Sequence, residues 1–163
     1  IIADFEFSDS RLMERRLHRF ERADFDRVEV TVGQKTRTFV QNSRQNPQAF
    51  SFADQATPDK RDDSIKNWME KLLRLAISDY VAQGEDPSVG AGASSMSGAA
   101  KVGDILSVRF FDGRKELGSV VLSRYPSAKT NQPEYYAKTE TSIGLVHLLA
   151  ATAESVVQDA EKW

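Results

Sequence analysis

Apolar positions in this chain follow two rhythms, a period of two over short runs and a three-to-four-residue step over longer ones. The clearest period-two run is Ile105–Leu122, in which Leu106, Val108 and Phe110 alternate with Ser107, Arg109 and Phe111. One face of such a strand is apolar and the other mixed. Asp112-Gly113 interrupts the run where a tight hairpin needs positive φ angles, so the stretch reads as two strands joined by a turn. Arg27–Val32 alternates in the same way through Val28, Val30 and Val32. Gly33-Gln34-Lys35 turns the chain, and Thr36–Gln41 returns as a strand rich in β-branched and aromatic residues. After a polar turn over Asn42–Pro47, Phe50-Ser51-Phe52 predicts a short third strand with both rings on one side.

The three-to-four-residue step begins after Thr57-Pro58, where threonine can cap a helix and proline can occupy its first position. Asp59, Asp62 and Asp63 then favour the helix dipole. Ile65, Trp68, Met69, Leu72, Leu73, Ala76 and Tyr80 form the apolar stripe of that predicted helix. Later, Tyr135–Thr139 predicts a strand, Ile143 to about His147 another, and a second helix runs from there through Glu161. Between the two regions, Gly84–Ala100 is almost free of bulky residues and reads as a mobile connector. Its glycines lack the Gly-Lys-Ser/Thr ending and the preceding strand of a phosphate-binding loop.

The pattern repeats. Val28–Lys35 lies over Val108–Lys115 without a gap, and across Val28–Val40 the residues Val28, Gly33, Lys35 and Val40 meet identical partners. The predicted fold class is therefore α+β, with two similar antiparallel β-meander-plus-helix halves sharing one core. The expected organisation is a lead-in over residues 1–23, a first βββα half over 24–83, the connector over 84–101 and a second βββ(β)α half over 102–163.

Composition changes this picture little. With 163 residues, 40% hydrophobic content and a formal charge of −2, the chain has the make-up of a folded domain with no global pull toward nucleic acid or anionic membrane. No apolar run approaches the roughly 20 residues of a membrane helix. The absence of cysteine removes disulfides, thiolate catalysis and cysteine-ligated metals, and leaves the compartment open. Ile1-Ile2-Ala3 is neither a start-codon product nor a signal peptide, so an anchor or export signal is expected outside this chain.

Candidate chemistry is sparse. Arg11, Arg15, Arg16, Arg19 and Arg22 form a basic cluster that could contact a phosphate or an acidic partner. Interleaved Glu14 and Glu21 favour a solvated face instead. Met13, Leu17 and Phe20 sit at helical spacing there, although an extended lead-in fits as well. His18 and His147 are the only histidines and form no metal-ligand motif, and His147 among apolar neighbours reads as a core-edge residue. No Gly-x-Ser-x-Gly elbow is present. Phe110, Phe111, Tyr135 and Tyr136 invite comparison with an RNA-stacking sheet, but the pattern that marks such sheets is missing. No catalytic residue, cofactor or metal is assigned.

Several of these residues carry a family likeness. Leu17-x-x-Phe20 leads into Phe25–Val30 and Gly33-x-x-Thr36, followed by Trp68-x-x-x-Leu72-Leu73. The second half has Phe110-x-Asp112-Gly113, Leu117-Gly118, Tyr135–Lys138 and a closing helix near Trp163. In these the chain resembles an uncharacterised bacterial family, a numbered domain of unknown function encoded beside gliding-motility-type ABC transporter components. The resemblance implies an extracytoplasmic domain, usually tethered by an N-terminal membrane segment, with no established activity. The repeated β-meander-and-helix architecture without a convergent catalytic set adds the expectation of a non-catalytic binding or assembly domain with a protein partner in a membrane complex. The open connector departs from the family pattern, and the balanced charge leads to no expectation of a nucleic-acid partner. A hydrolase whose carboxylates converge only in three dimensions and an arginine-cluster phosphate or nucleic-acid binder are the alternatives.

Overall fold

The computed structural model describes residues 17–75, 77–80, 103–127, 132–140 and 145–163. Eight strands among them form one antiparallel sheet: β1 Arg27–Val32, β2 Lys35–Asn42, β3 Ser51–Asp54, β4 Ile77–Tyr80, β5 Gly103–Asp112, β6 Lys115–Pro126, β7 Pro133–Thr139 and β8 Val146–Leu148. Their order is β3-β2-β1-β5-β6-β7-β8-β4. Among the described residues two helices, α1 Asp63–Leu73 and α2 Ala150–Glu161, cover one face, and a 3-10 turn spans Arg22–Asp24. The α+β class follows directly from this layering.

Both long hairpins form as their alternation requires. Gly33 and Gly113 each open a two-residue loop with φ near +60° (62° and 60°), while Asp112 keeps a negative φ. The positive angle therefore falls on glycine alone, at the first loop position. The hairpins are joined through β1 and β5, where Val28 lies opposite Phe110 and Val30 opposite Val108. These four side chains, with Phe39, Leu106, Val120 and Leu122, are buried on the helix face. On the other face Glu29, Thr31, Thr36 and Arg109 alternate outward.

Helix α1 differs from its predicted span at both ends. It starts at Asp63, not after Thr57-Pro58, because Asp62 is the cap: its carboxylate accepts from Ser64 N (2.9 Å) and Ile65 N (3.4 Å). Residues 57–62 instead form turns, and Asp62 N donates to Phe52 O at 2.8 Å, tying the cap to β3. The helix stops at Leu73, and Ile77–Tyr80 leaves as edge strand β4 beside β8. Tyr80 thus belongs to a strand. The pairing that draws it there is with residues far along the chain, which local periodicity does not register. The predicted second helix starts at Ala150, after the short strand β8, and ends at Glu161 as expected. The predicted connector and most of the lead-in lie outside the described residues.

The helices lie side by side through Trp68. Its ring is buried, its Nε1–H donates to Val156 O at 2.9 Å, and Trp163 packs edge-to-face on it at 4.7 Å. Lys71 Nζ adds an exposed contact to Asp159 Oδ2 at 2.6 Å. Trp68→Ala is expected to cost about 3–5 kcal/mol of stability, read as a lower denaturant midpoint with unchanged slope; a loss below about 1 kcal/mol would place the helix contact elsewhere.

Candidate functional site

Residues 17–25 cross the helix face beside α1 and cap Phe110. Leu17 and Phe25 are buried, and the Phe20 and Phe25 rings sit 4.9 and 5.1 Å from that of Phe110. Buried with them is the polar side chain of His18, whose ring stacks on Phe20 at 4.7 Å and meets Phe110 edge-on at 5.0 Å. Its Nδ1–H donates to both carboxylate oxygens of Glu140, at 3.0 and 3.2 Å.

Glu140 follows β7 and folds over Gly118 on β6. A Cβ at Gly118 would collide with its carboxyl group, so this strand position admits only glycine while Glu140 stays in place. Ser119 N also donates to Glu140 Oε2 at 3.0 Å. The geometry allows an ion pair, but burial is the larger influence on His18 and lowers its pKa, against the raising effect of Glu140. Its Nε2 is sealed from solvent and has no hydrogen-bond partner. A second proton there would create a buried donor with nothing to receive it, which agrees with a neutral ring protonated at Nδ1.

The docked segment walls a cleft of about 540 Å3 against the β5–β6 hairpin, lined by Arg19, Phe20, Asp24, Asp112, Leu117 and Glu140. Arg44 ties its two sides together, donating from Nη1 to Asp24 O (3.1 Å) and Asp112 Oδ1 (2.8 Å). The hydrogen bond to Asp112 is the main reason the Arg44 pKa is raised. Below the rim, Asp26 Oδ1 accepts from Gly113 N at 3.0 Å, and Gln41 Nε2 donates to Arg22 O and Phe25 O at 2.8 and 2.7 Å. Three carboxylates, Asp24, Asp112 and Glu140, and the Arg19 guanidinium thus line the cleft, over an apolar floor of Phe20 and Leu117.

Of the five candidate arginines, Arg19 is exposed on this cleft. Arg22 is a strut: its Nη1 donates to Gln41 Oε1 (2.6 Å) and Arg44 O (3.1 Å), and its guanidinium lies 3.7 Å over the Phe50 ring. Arg11, Arg15 and Arg16 lie outside the described residues. The His147 ring lies tilted against that of Tyr136, at 5.1 Å, on the face away from the helices. The four aromatics split by alternation. Phe110 and Tyr135 enter the core, whereas Phe111 lies under Arg27 and Arg109 at 4.5 and 5.1 Å. The Tyr136 hydroxyl donates to Glu134, and burial foremost pushes its pKa up to about 12.

Sequence reading passed over Glu140, Arg44 and Asp24. Gly118 inside a strand was the available signal, since an interior strand glycine often marks a close approach.

Gly118→Ala should evict the Glu140 carboxylate and cost about 1–3 kcal/mol, with loss of a slowly exchanging His18 Nδ1–H resonance; retention of that resonance would contradict the packing. In the unfolded chain His18 takes up its proton near its ordinary pKa of 6.5, and in the folded protein at lower pH. Stability is accordingly full above that value and declines as pH falls from it through the folded pKa. His18→Phe is expected to flatten stability over that window in pH-dependent denaturation; an unchanged slope would assign it to other groups. Comparison of the chain with protein families, curated proteins and solved structures finds no match.

Proposed function

We propose that this chain is a non-catalytic binding or assembly domain whose cleft receives a cationic side chain of a protein partner. The observation that carries the reading is the pairing of an apolar floor, Phe20 and Leu117, with an acid-rich wall of Asp24, Asp112 and Glu140. A lysine or arginine stem packs on such a floor while its charged head meets the carboxylates. The same residues weigh against the hydrolase alternative. Glu140 and Asp112 already accept hydrogen bonds from His18, Ser119 and Arg44, and the free nitrogen of His18 cannot reach a bound molecule. The resemblance to the transporter-linked family supplies the setting: an extracytoplasmic, membrane-associated complex, accessory to an ABC-type transport system.

The two-half architecture belongs to the same proposal. Shifting Val28 onto Val108 also carries Glu29 onto Arg109, and these two residues face each other across β1 and β5. The pairs on either side, Val28 with Phe110 and Val30 with Val108, exchange under that shift, as a local two-fold axis requires. The turn glycines Gly33 and Gly113 follow, with matching backbone angles. Among the described residues strands β8 and β4 have no counterpart beyond β3, so the relation is confined to the six strands from β3 to β7 in the sheet order.

Amide NMR with an alternating lysine–leucine peptide tests the reading. It should perturb Asp24, Asp112 and Glu140, and Arg19→Glu should tighten binding by about threefold or more, the scale of one exposed charge. Preference for a glutamate–leucine peptide at the same residues would reverse the sign of the site. Turnover of generic ester, phosphate or glycoside substrates at enzyme-like rates would overturn the non-catalytic reading.

A further inference from the structure

A second concavity, of about 320 Å3, opens on the helix face of β1 where α2 ends. Its floor is Val30 and half-exposed Val32, and the Trp163 ring forms its inner wall. That ring is held in place, edge-to-face with Trp68 at 4.7 Å and Phe39 at 5.3 Å. The rim on the β1–β2 side carries Gln34, Lys35 and Arg37, and the helix side carries Glu161.

The donors on the hairpin side are available. Arg37 gives Nε and Nη2 to a single oxygen of Asp54, at 3.3 and 2.9 Å, which leaves the Nη1 edge of its fork unbonded. Its guanidinium is positioned by that bond and by the rings of Phe39 and Trp163, 5.0 and 5.8 Å away. Lys35 is exposed and forms no ion pair with a described residue. On the opposite side, Glu161 and the carbonyl end of α2 disfavour an anion. An anionic group in the pocket is therefore directed to the hairpin side, with its apolar remainder on the valines and the indole.

We propose that this pocket is a binding site for a small amphipathic carboxylate, independent of the acidic cleft. An aryl or branched-alkyl body would lie on Val30, Val32 and Trp163, and the carboxylate would meet Lys35 and the free edge of Arg37. The volume stands at the lower end of ligand pockets, roughly 300–1,000 Å3, and calls for a compact ligand. The arrangement of apolar walls with a few convergent donors is the usual form of such sites. Arg37 suits the carboxylate because its planar fork can serve two carboxylates from adjacent edges.

The test uses 3-phenylpropanoate and 3-phenylpropylamine, which share a body and differ in charge, titrated into the full chain. Tryptophan emission and the methyl resonances of Val30 and Val32 report binding. The carboxylate should give a saturable change at both probes, and the amine should bind about tenfold more weakly or worse. Lys35→Glu, an exposed change that leaves the circular dichroism spectrum intact, should weaken the carboxylate by about tenfold. Trp163→Phe should remove most of the emission response while the valine methyls still shift. Failure of the carboxylate to saturate, equal binding of the amine, or indifference to Lys35→Glu would each overturn the proposal. So would a dimer in sedimentation that shields Trp163, because the pocket would then be an interface between copies.

Discussion

The antiparallel seam between β1 and β5 makes one molecule of two hairpins, and everything else is arranged against it. Its helix-side pairs, Val28 with Phe110 and Val30 with Val108, are among the most deeply buried residues of the chain. Burying side chains of this size contributes about 1.5–3 kcal/mol each before entropy is counted. They can be buried only if a second layer covers them. The helices supply that layer on the Trp68 side of the face, and the segment at residues 17–25 supplies it over Phe110.

Both concavities arise from the limits of that covering. At one end α2 runs out before the first hairpin does, which leaves Val32 half-exposed beside Trp163. At the other, the docked segment packs on Phe110 and is tied to the turn of the second hairpin through Arg44, and a cleft remains between them. Lys35 and Arg37 make the first rim cationic; Asp112, with Asp24 and Glu140 against it, makes the second acidic.

Much of the scaffold was legible in the chain. Alternation through Val28–Val32 and Leu106–Phe110 located both hairpins, and the turn glycines placed their loops. The helix stripe through Ile65, Trp68, Met69 and Leu72 was also readable, while its start was not. Asp62 and Thr57 are both good caps; in the fold Asp62 takes the role, and the bond from Asp62 N to Phe52 O ties it to a strand that local sequence does not specify. Strand β4 was invisible because its partner is β8, close to the end of the chain. The site was hidden for the same reason. His18 and Glu140 stand far apart in sequence and meet through a fold that neither residue's neighbours specify. Arg22, read as an exposed cation, is spent on Gln41 and Phe50.

Both the cleft and the cover over Phe110 depend on residues 17–25 being docked in the native protein. Hydrogen–deuterium exchange across that segment measures this directly. The amides of Glu21 and Asp24, bonded to Asp24 Oδ2 and Glu21 O, should exchange slowly and together with their neighbours. Exchange of the whole segment at free-peptide rates, while β1 and β5 stay protected, would contradict that docking.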